Sequence, residues 1–287
     1  MSRPVRAAVP ALLAGLALLL AACGGSSPQD LLAAAPEAML EQGTVGYQQG
    51  VIVSDGTGEI LVDTTTEGAQ DLQTSAQRMT IHIGEAAGAV AEGAEVAGGE
   101  AVEVILDGAL AYVHSPQLQA LAGVEWARFD LTETAELLPG FDAAGQQQGG
   151  PVALLDDLRG AVDEIEELGE EDVRGVATQH LRVTVDVQRA IDNAPEGRRE
   201  DLRAAAEALG IPDRYPMEIW IDGDALPRRI VTVIETDDEA FGTTIREMRT
   251  DLYDYGEPVD VTAPAPDDVV DFSELLSLLG GADGAGS

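Results

Sequence analysis

Alternation of apolar and polar residues is the feature that most limits the folds open to this chain of 287 residues. In ATQHLRVTVDVQ, every second residue from Leu181 to Val187 is apolar and the residues between them are polar. A period of two is typical of a β-strand with one buried face. The stretches QRMTIHIG, VEVILDG and MEIWID alternate in the same way. The apolar positions that we expect on one face of these strands are Met79, Ile81, Ile83, Val102, Val104, Leu106, Leu181, Val183, Val185, Met217, Ile219 and Ile221.

Further strands and several helices complete the predicted fold. ALAYVHSP, EWARFDL, RRIVTVIE and TTIREMRTDLYDYG indicate strands, and the turns Asp107-Gly108 and DGDALP indicate antiparallel hairpins. Helices are predicted over Asp30–Glu41, 151–168, Arg199–Leu209 and Asp271–Leu279. The second of these has an apolar stripe at helical spacing, formed by Leu154, Leu155, Leu158, Val162, Ile165 and Leu168. The pattern therefore favours an α+β fold, an antiparallel sheet with helices on one side.

The N-terminus predicts export. Arg3 and Arg6 precede a run without charge from Ala7 to Ala22, which is shorter than a membrane span and ends in small residues. The end of the run, LAAC, resembles the bacterial lipobox, and by that resemblance Cys23 receives a diacylglyceryl group after cleavage behind Ala22. The other interpretation, a signal with a chance cysteine, leaves the only thiol of an exported chain without a role. We expect a signal peptide over 1–22, a flexible tether over 23–30, one domain over 31–279 and a disordered tail over 280–287.

The net charge of the chain bears on two functions, nucleic-acid binding and attachment to a membrane. The 52 Asp and Glu against 16 Arg give a net charge of −36, which excludes a nucleic-acid-binding surface as the main activity. Removal of the signal makes the charge two units more negative, because it takes away Arg3 and Arg6. Such a chain is repelled by an anionic leaflet, so we expect acyl chains on Cys23 to hold it on the outer face of the cell membrane.

The sequence gives little support to catalysis or metal binding. His82, His114 and His180 lie far apart, and no HExxH, GxSxG or SxxK motif occurs. DGTGE from Asp55 and DGD from Asp222 are interpreted as turns rather than calcium loops. The acidic run 156–172 is interpreted as a solvated face in preference to a site for cations or a basic partner. We expect no catalytic residue, no metal and no cofactor.

Several motifs together resemble a known family. LGEEDVRGVATQHLRVTVDV, MEIWIDGDALPRRI and DLYDYGEPVDVTAP, following the lipobox, resemble actinobacterial lipoproteins of the LppX/LprA/LprF/LprG family over roughly residues 31–264. The resemblance implies a curved antiparallel half-barrel whose concave side is closed by helices, as in the carrier LolA and the sensor RseB. It also implies that acylated lipids or glycolipids bind in the apolar hollow and move across the cell envelope.

Two functional hypotheses follow. The first is a membrane-anchored lipid-binding or lipid-transfer protein whose ligand contacts the twelve apolar residues named above, with an envelope transport or export protein as a further partner. The second is a non-catalytic sensor or scaffold of the same fold that contacts another envelope protein. The sequence leaves open whether the apolar face encloses a cavity or packs solid.

Overall fold

One open sheet of twelve strands forms the body of the protein. The structure, a computed structural model, describes residues 27–84, 101–133, 155, 158, 160–194, 196–208, 210–238 and 242–275. The strands are β1 Thr44–Asp55, β2 Ile60–Asp71, β3 Gln77–Ile83, β4 Ala101–Asp107, β5 Leu110–His114, β6 Trp126–Asp130, β7 Val162–Val173, β8 Val176–Asp186, β9 Arg214–Ile221, β10 Pro227–Asp238, β11 Gly242–Tyr253 and β12 Val269–Asp271. The helices are α1 Pro28–Gln42, α2 Pro116–Ala122, α3 Val187–Asn193 and α4 Arg199–Ala208.

The sheet is antiparallel except at one edge. Its strand order is β12-β6-β5-β4-β3-β2-β1-β11-β10-β9-β8-β7, and only β12 and β6 pair in parallel among the described strands. The predicted hairpins at Asp107-Gly108 and at DGDALP are present as β4–β5 and β9–β10. The predicted α+β class, with a large antiparallel sheet and a few helices, is confirmed.

The hairpin of β1 and β2 is the largest element absent from the sequence-based prediction. Its turn at Asp55 was identified, but the two strands on either side were not. They join the two halves of the sheet, because β1 pairs with β2 on one side and with β11 on the other. Their alternation is weak because Gln49, Thr64 and Thr66 occupy positions where the other strands carry Val, Ile or Leu.

The predicted helix over 151–168 is wrong in its second half, which forms strand β7. The register between β7 and β8 shifts at Val162/Glu164 and again at Glu167/Gly169. Such bulges add a residue to one strand. Val162 and Ile165 therefore face the same side although they lie three residues apart, and this spacing imitates that of a helix. Within the predicted first half, 155 and 158 are helical and the remaining residues before 160 lie outside the described part of the chain.

Two predicted boundaries also need correction. Helix α1 begins at Pro28, and Ser27 and Asp30 form a capping box at its N-terminus. The last three residues of the predicted tether over 23–30 therefore belong to the helix. Asp271 belongs to β12, and helical residues follow only at 272–275. Helices α2 and α3 were not predicted, whereas α4 agrees with the prediction. The signal peptide over 1–22, Cys23 and the tail over 280–287 lie outside the described residues and stay predictions.

Helix α1 covers one face of the sheet, which we call the inner face. Its Leu31, Ala35 and Met39 are buried against residues of β8, β9 and β1. Gly43 ends the helix with a φ of 79°, a left-handed conformation that favours glycine, and its N–H donates to the Leu40 carbonyl. This turn sends the chain directly from α1 into β1, so that the helix folds back over the inner face.

Candidate functional site

Strand register places the twelve predicted residues on the inner face. Directly paired residues of neighbouring strands share a face of the sheet. One such row runs across eight strands through Leu181, Ile219, Ile230, Thr250, Gln49, Thr66, Ile81 and Val102. The two groups of predicted residues, on β8–β9 and on β3–β4, therefore lie on one face but are separated by a more polar middle.

The group on β8 and β9, which we call the covered patch, is a solid core. It consists of Leu181, Val183, Val185, Met217, Ile219 and Ile221, each at most 1% exposed. These side chains pack in one cluster with Leu31, Ala35 and Met39 of α1. Helix and sheet thus exclude solvent here as an ordinary protein interior does.

The group on β3 and β4, which we call the half-buried patch, is less enclosed. It consists of Met79, Ile81, Ile83, Val102, Val104 and Leu106. Leu106 is buried and packs with Ala111 and Leu131, and the other five are only partly buried. Ile81, Ile83 and Val102 belong to none of the three apolar clusters of the described residues.

A pocket of about 240 Å³ opens where the first half of α1 meets β7 and β9. It is lined by Gln29, Leu32, Ala33, Leu155, Leu158, Gly160, Val162, Asp163, Ile165 and Ile219. Among the twelve predicted residues only Ile219 contributes. An apolar cavity of about 150 Å³ holds benzene, so this pocket has room for roughly ten carbons. That is less than a complete C16 chain of about 15 CH2 groups.

A tyrosine and a glycine shape the inner face between the two patches. The Tyr47 hydroxyl donates to Oε1 of Gln77 at 3.2 Å, across strand β2. A Cβ at Gly68 would lie 2.8 Å from that hydroxyl and 2.9 Å from Cβ of Met79, so glycine is needed for this close approach. Burial and the neighbouring Tyr253 raise the pKa of Tyr47 to about 12, so the hydroxyl keeps its proton at neutral pH.

Three side-chain oxygens near the inner face lack a hydrogen-bond partner among the described residues. They belong to Gln70, Gln179 and Thr232. Thr232 lies in a row between Met217 and Met248, and it is 4% exposed. Sequence reasoning identified only the apolar residues of this face and missed its polar positions, which interrupt the alternation.

The opposite, outer face carries an ordered polar network. The His180 ring stacks on Trp220 with centroids 3.9 Å apart, and its Nε2 lies 3.0 Å from a Glu218 oxygen. Asp251 accepts hydrogen bonds from Arg229 at 2.7 and 3.0 Å and from Arg249. Burial acts to raise the pKa of Asp251, but the hydrogen bonds from these two arginines outweigh it and lower the pKa to about 2. These contacts link strands β8, β9, β10 and β11 on the outer face of the sheet.

The remaining candidate groups have structural partners. The Asp55 carboxylate accepts from the backbone N–H groups of Thr57 and Glu59, and Asp222 accepts from those of Asp224 and Leu226, which confirms both as turn residues. The three histidines lie on separate strands, β3, β5 and β8. Within the described ranges, no group of three or more His, Cys, Asp or Glu could hold a metal ion.

The acidic run has a different setting from the one predicted. From Val162 onward it forms the edge strand β7, whose carboxylates are mostly solvent-exposed. The solvated face is therefore that of a strand, and its charges protect an unpaired sheet edge against association. No helix in the described part of the chain is long and apolar enough to cross a membrane.

Comparison with known proteins finds similarity in sequence to another protein and similarity in structure to several solved proteins. No protein-family model matches. A Streptomyces griseus protein, described as an uncharacterized 31.2 kDa protein in the rplA-rplJ intergenic region, is 32% identical over 174 residues. The match covers 58% of this chain and 54% of that protein, so the chain spans about half the length of this relative.

The solved structures similar to this chain include a mycobacterial lipoprotein. Mycobacterium tuberculosis LppX has 15% identity and a TM-score of 0.45, with 82% of this chain and all of LppX covered. Mycobacterium bovis LprF has 17% identity and a TM-score of 0.47, with 83% and 96% covered. A LolA superfamily protein of Nitrosomonas europaea has 11% identity and a TM-score of 0.28, with 81% and 94% covered. The chain is thus similar to LppX and LprF over about four fifths of its length, as the motifs in the sequence predict.

Proposed function

We propose that this protein is an exported lipoprotein, held on the outer face of the cell membrane by acyl chains on Cys23, that binds acylated lipids or glycolipids and transfers them within the envelope. The observation that carries the proposal is the apolar inner face, which continues beyond the area that α1 covers. Its half-buried patch offers Ile81, Ile83 and Val102 to a ligand.

The energetics of an acyl chain suit such a face. Each CH2 group moved from water to an apolar surface contributes about 0.8 kcal/mol, so the roughly ten carbons that fit the pocket provide about 8 kcal/mol before ordering costs. A longer chain exceeds the pocket of about 240 Å³. Its remainder leaves the pocket along the inner face, in the direction of Thr250, Gln49 and Thr66.

Binding of this kind needs neither a cofactor nor a catalytic group. His180, the histidine with the most contacts, lies on the outer face between Trp220 and two glutamates, away from the apolar residues. The resemblance to LppX, a lipoprotein, supports the anchored form. The single cysteine, followed by GGSS and helix α1, provides the attachment point.

The test is lipid occupancy of matched variants. The chain from residue 24 onward is purified from an actinobacterial host, and co-purifying lipid is extracted and quantified by mass spectrometry. We expect Ile81→Glu to reduce lipid occupancy at least tenfold, because a carboxylate on the inner face would be buried against the ligand. His82→Glu, at the next position on the outer face of β3, serves as the control and should leave occupancy unchanged.

Two results would contradict the proposal. One is a folded wild-type chain without any lipid. The other is equal occupancy in Ile81→Glu and His82→Glu, with thermal unfolding showing that both variants are folded. Membrane attachment is tested separately by Cys23→Ala in the full chain, which should move the protein from the membrane fraction to the medium.

A specific observation also favours the second hypothesis, a sensor or scaffold. Five of the six covered-patch residues line no part of the pocket, and the exposed acidic strand β7 offers a surface to a basic partner. Under this hypothesis the purified chain is free of lipid. Charge reversal at Glu166 and Glu170 would then abolish binding of an envelope protein, whereas it should not change lipid occupancy under the first hypothesis.

A further inference from the structure

We infer that the pocket between α1 and β7 is the mouth through which an acyl chain of a neighbouring membrane lipid enters, and that the anchor on Cys23 holds this mouth against the membrane. The inference rests on the proposed function and extends it to the route of loading. Its occupant is a hydrocarbon chain of a bilayer lipid.

The lining of the pocket leads from the surface to the core. Leu32 and Ile165 lie at its partly exposed side, on α1 and β7. Ile219, which is fully buried, belongs both to the pocket and to the covered patch. An apolar chain that enters beside Leu32 therefore meets the underside of α1 and the row that continues toward β3 and β4.

Among the described residues of the lining, the one carboxylate, that of Asp163, does not oppose an apolar chain as a free charge would. Asp163 pairs with Arg189 of α3 and with Arg214 of β9. Its charge is thus compensated at the rim of the pocket. This arrangement contrasts with the rest of β7, where most of the acidic side chains are exposed to solvent.

The chain length before α1 places this pocket near the membrane. Pro28 lies five residues after Cys23, and an extended chain spans at most about 3.5 Å per residue, which gives about 17 Å. Leu32 follows four residues later, about 6 Å along the helix. The mouth thus stays within roughly 25 Å of the acylated cysteine, by adding these two lengths.

The opposite edge of the sheet is much farther away when measured along the sheet. Strands β7 and β12 are the two edges of the twelve-stranded order, and neighbouring strands are about 4.8 Å apart, so about 50 Å of sheet lies between them. An anchor at β12 would hold the same protein at the same membrane but with the pocket remote from it. This difference allows the anchor position to be tested apart from binding.

The experiment couples the protein to vesicles at two positions. The chain from Cys23 onward has one thiol, which reacts with a maleimide-headgroup phospholipid in phosphatidylcholine vesicles. The matched control, Cys23→Ser with Glu274→Cys, is coupled through an exposed residue that follows β12. The vesicles contain a phosphatidylcholine with a fluorescent acyl chain and a quenching lipid, so extraction of the labelled chain raises the fluorescence.

We expect the labelled chain to be extracted at least tenfold faster through Cys23 than through Glu274→Cys. Equal rates, or a faster rate through Glu274→Cys, would overturn the inference and leave the proposed function intact. No extraction from either position would overturn the proposed function together with the inference. In a parallel sample the label is on the maleimide lipid, and an increase in its fluorescence would assign the pocket to the protein's own anchor and overturn the inference as well.

A second pair of variants tests the pocket itself. Leu32→Trp fills the mouth, whereas Ala34→Trp adds the same ring at an exposed position of α1 that does not line the pocket. Coupled through Cys23, the first variant should extract lipid at least fivefold more slowly and the second at the wild-type rate. Leu32→Asn, which makes the mouth polar without enlarging the side chain, provides the same comparison if Leu32→Trp does not fold. Equal rates for the Leu32 and Ala34 variants would overturn the inference.

Discussion

The covered patch and the half-buried patch share a sequence pattern and lie on the same face of the sheet, but helix α1 covers only the first of them. The six side chains of the covered patch are at most 1% exposed beneath α1, whereas Ile81, Ile83 and Val102 on β3 and β4 are only partly buried. Alternation therefore determines which face a side chain occupies, since a strand has period two. It does not determine whether another element covers that face, because the cover comes from a helix far away in the sequence.

The two patches should respond differently to the loss of a side chain. Ile219→Ala removes a fully buried group beneath α1 and should cost about 3–4 kcal/mol of the free energy of unfolding, because it leaves a cavity. Ile81→Ala removes a partly buried group and should cost about 1 kcal/mol. Urea denaturation of both variants measures the difference. Equal losses would show that the half-buried patch is an ordinary core, without an available surface.

Gly68 tests the boundary between the patches. Gly68→Ala places a methyl group within 3 Å of the Tyr47 hydroxyl, the Arg78 carbonyl and Met79 Cβ, so we expect a loss of about 2–3 kcal/mol from overpacking. Tyr47→Phe in the same background removes the closest side-chain oxygen and should recover part of the loss. If Gly68→Ala is as stable as the wild type, then the row from Tyr47 to Met79 is not tightly packed.

Acid titration compares two ion-paired carboxylates on the outer face, Asp251 behind the covered patch and Glu103 behind the half-buried patch. Asp251, paired with Arg229 and Arg249 behind the covered side, has a folded-state pKa of about 2 against an ordinary value of 3.8. A lowered pKa stabilises the folded state above the ordinary value, and this contribution is lost as the pH falls from about 5 through 2. The shift corresponds to about 2 kcal/mol.

Asp251→Asn should therefore remove about 2 kcal/mol at pH 7 and flatten the pH dependence of stability below pH 5. The control is Glu103→Gln, which breaks the more exposed pair with Arg78 behind the half-buried patch and should cost less than about 1 kcal/mol. Urea midpoints between pH 7 and pH 3 measure both. If Asp251→Asn leaves the pH dependence of stability unchanged, then that dependence arises from other carboxylates.

The sequence predicted most strands but not the element that joins them. Strands with Val, Ile and Leu on the inner face, such as β8 and β9, were identified because their alternation is complete. The hairpin of β1 and β2 was missed because Gln49, Thr64 and Thr66 interrupt its alternation. Strand β7 was mistaken for a helix because a bulge places Val162 and Ile165 on one face at a spacing of three residues.

The site was predictable to a similar degree. All twelve apolar residues lie on the face that the alternation indicated, but the pocket includes only Ile219 among them. Its other lining residues come from α1, from β7 and from the positions 155–160. Their proximity depends on how α1 folds back from Gly43 over β7 and β9, and long-range contacts of this kind leave no local pattern in the sequence.

Ser27 provides the smallest and most local test of the difference between the patches. Its hydroxyl accepts from the Asp30 N–H and its own N–H donates to the Asp30 carboxylate, which closes the first turn of α1 beside the pocket. Ser27→Ala removes the acceptor and should cost about 1 kcal/mol. Because Leu31, Ala35 and Met39 hold the remaining helix on the covered patch, we expect the loss to be confined to the first turn. Amide hydrogen exchange should accelerate at Asp30 and Leu31, whose N–H groups donate to Ser27, and stay unchanged in β3 and β4. Faster exchange along the whole of α1 would instead mean that the cover over β8 and β9 opens as one unit, and the pocket and the covered patch would then form a single site.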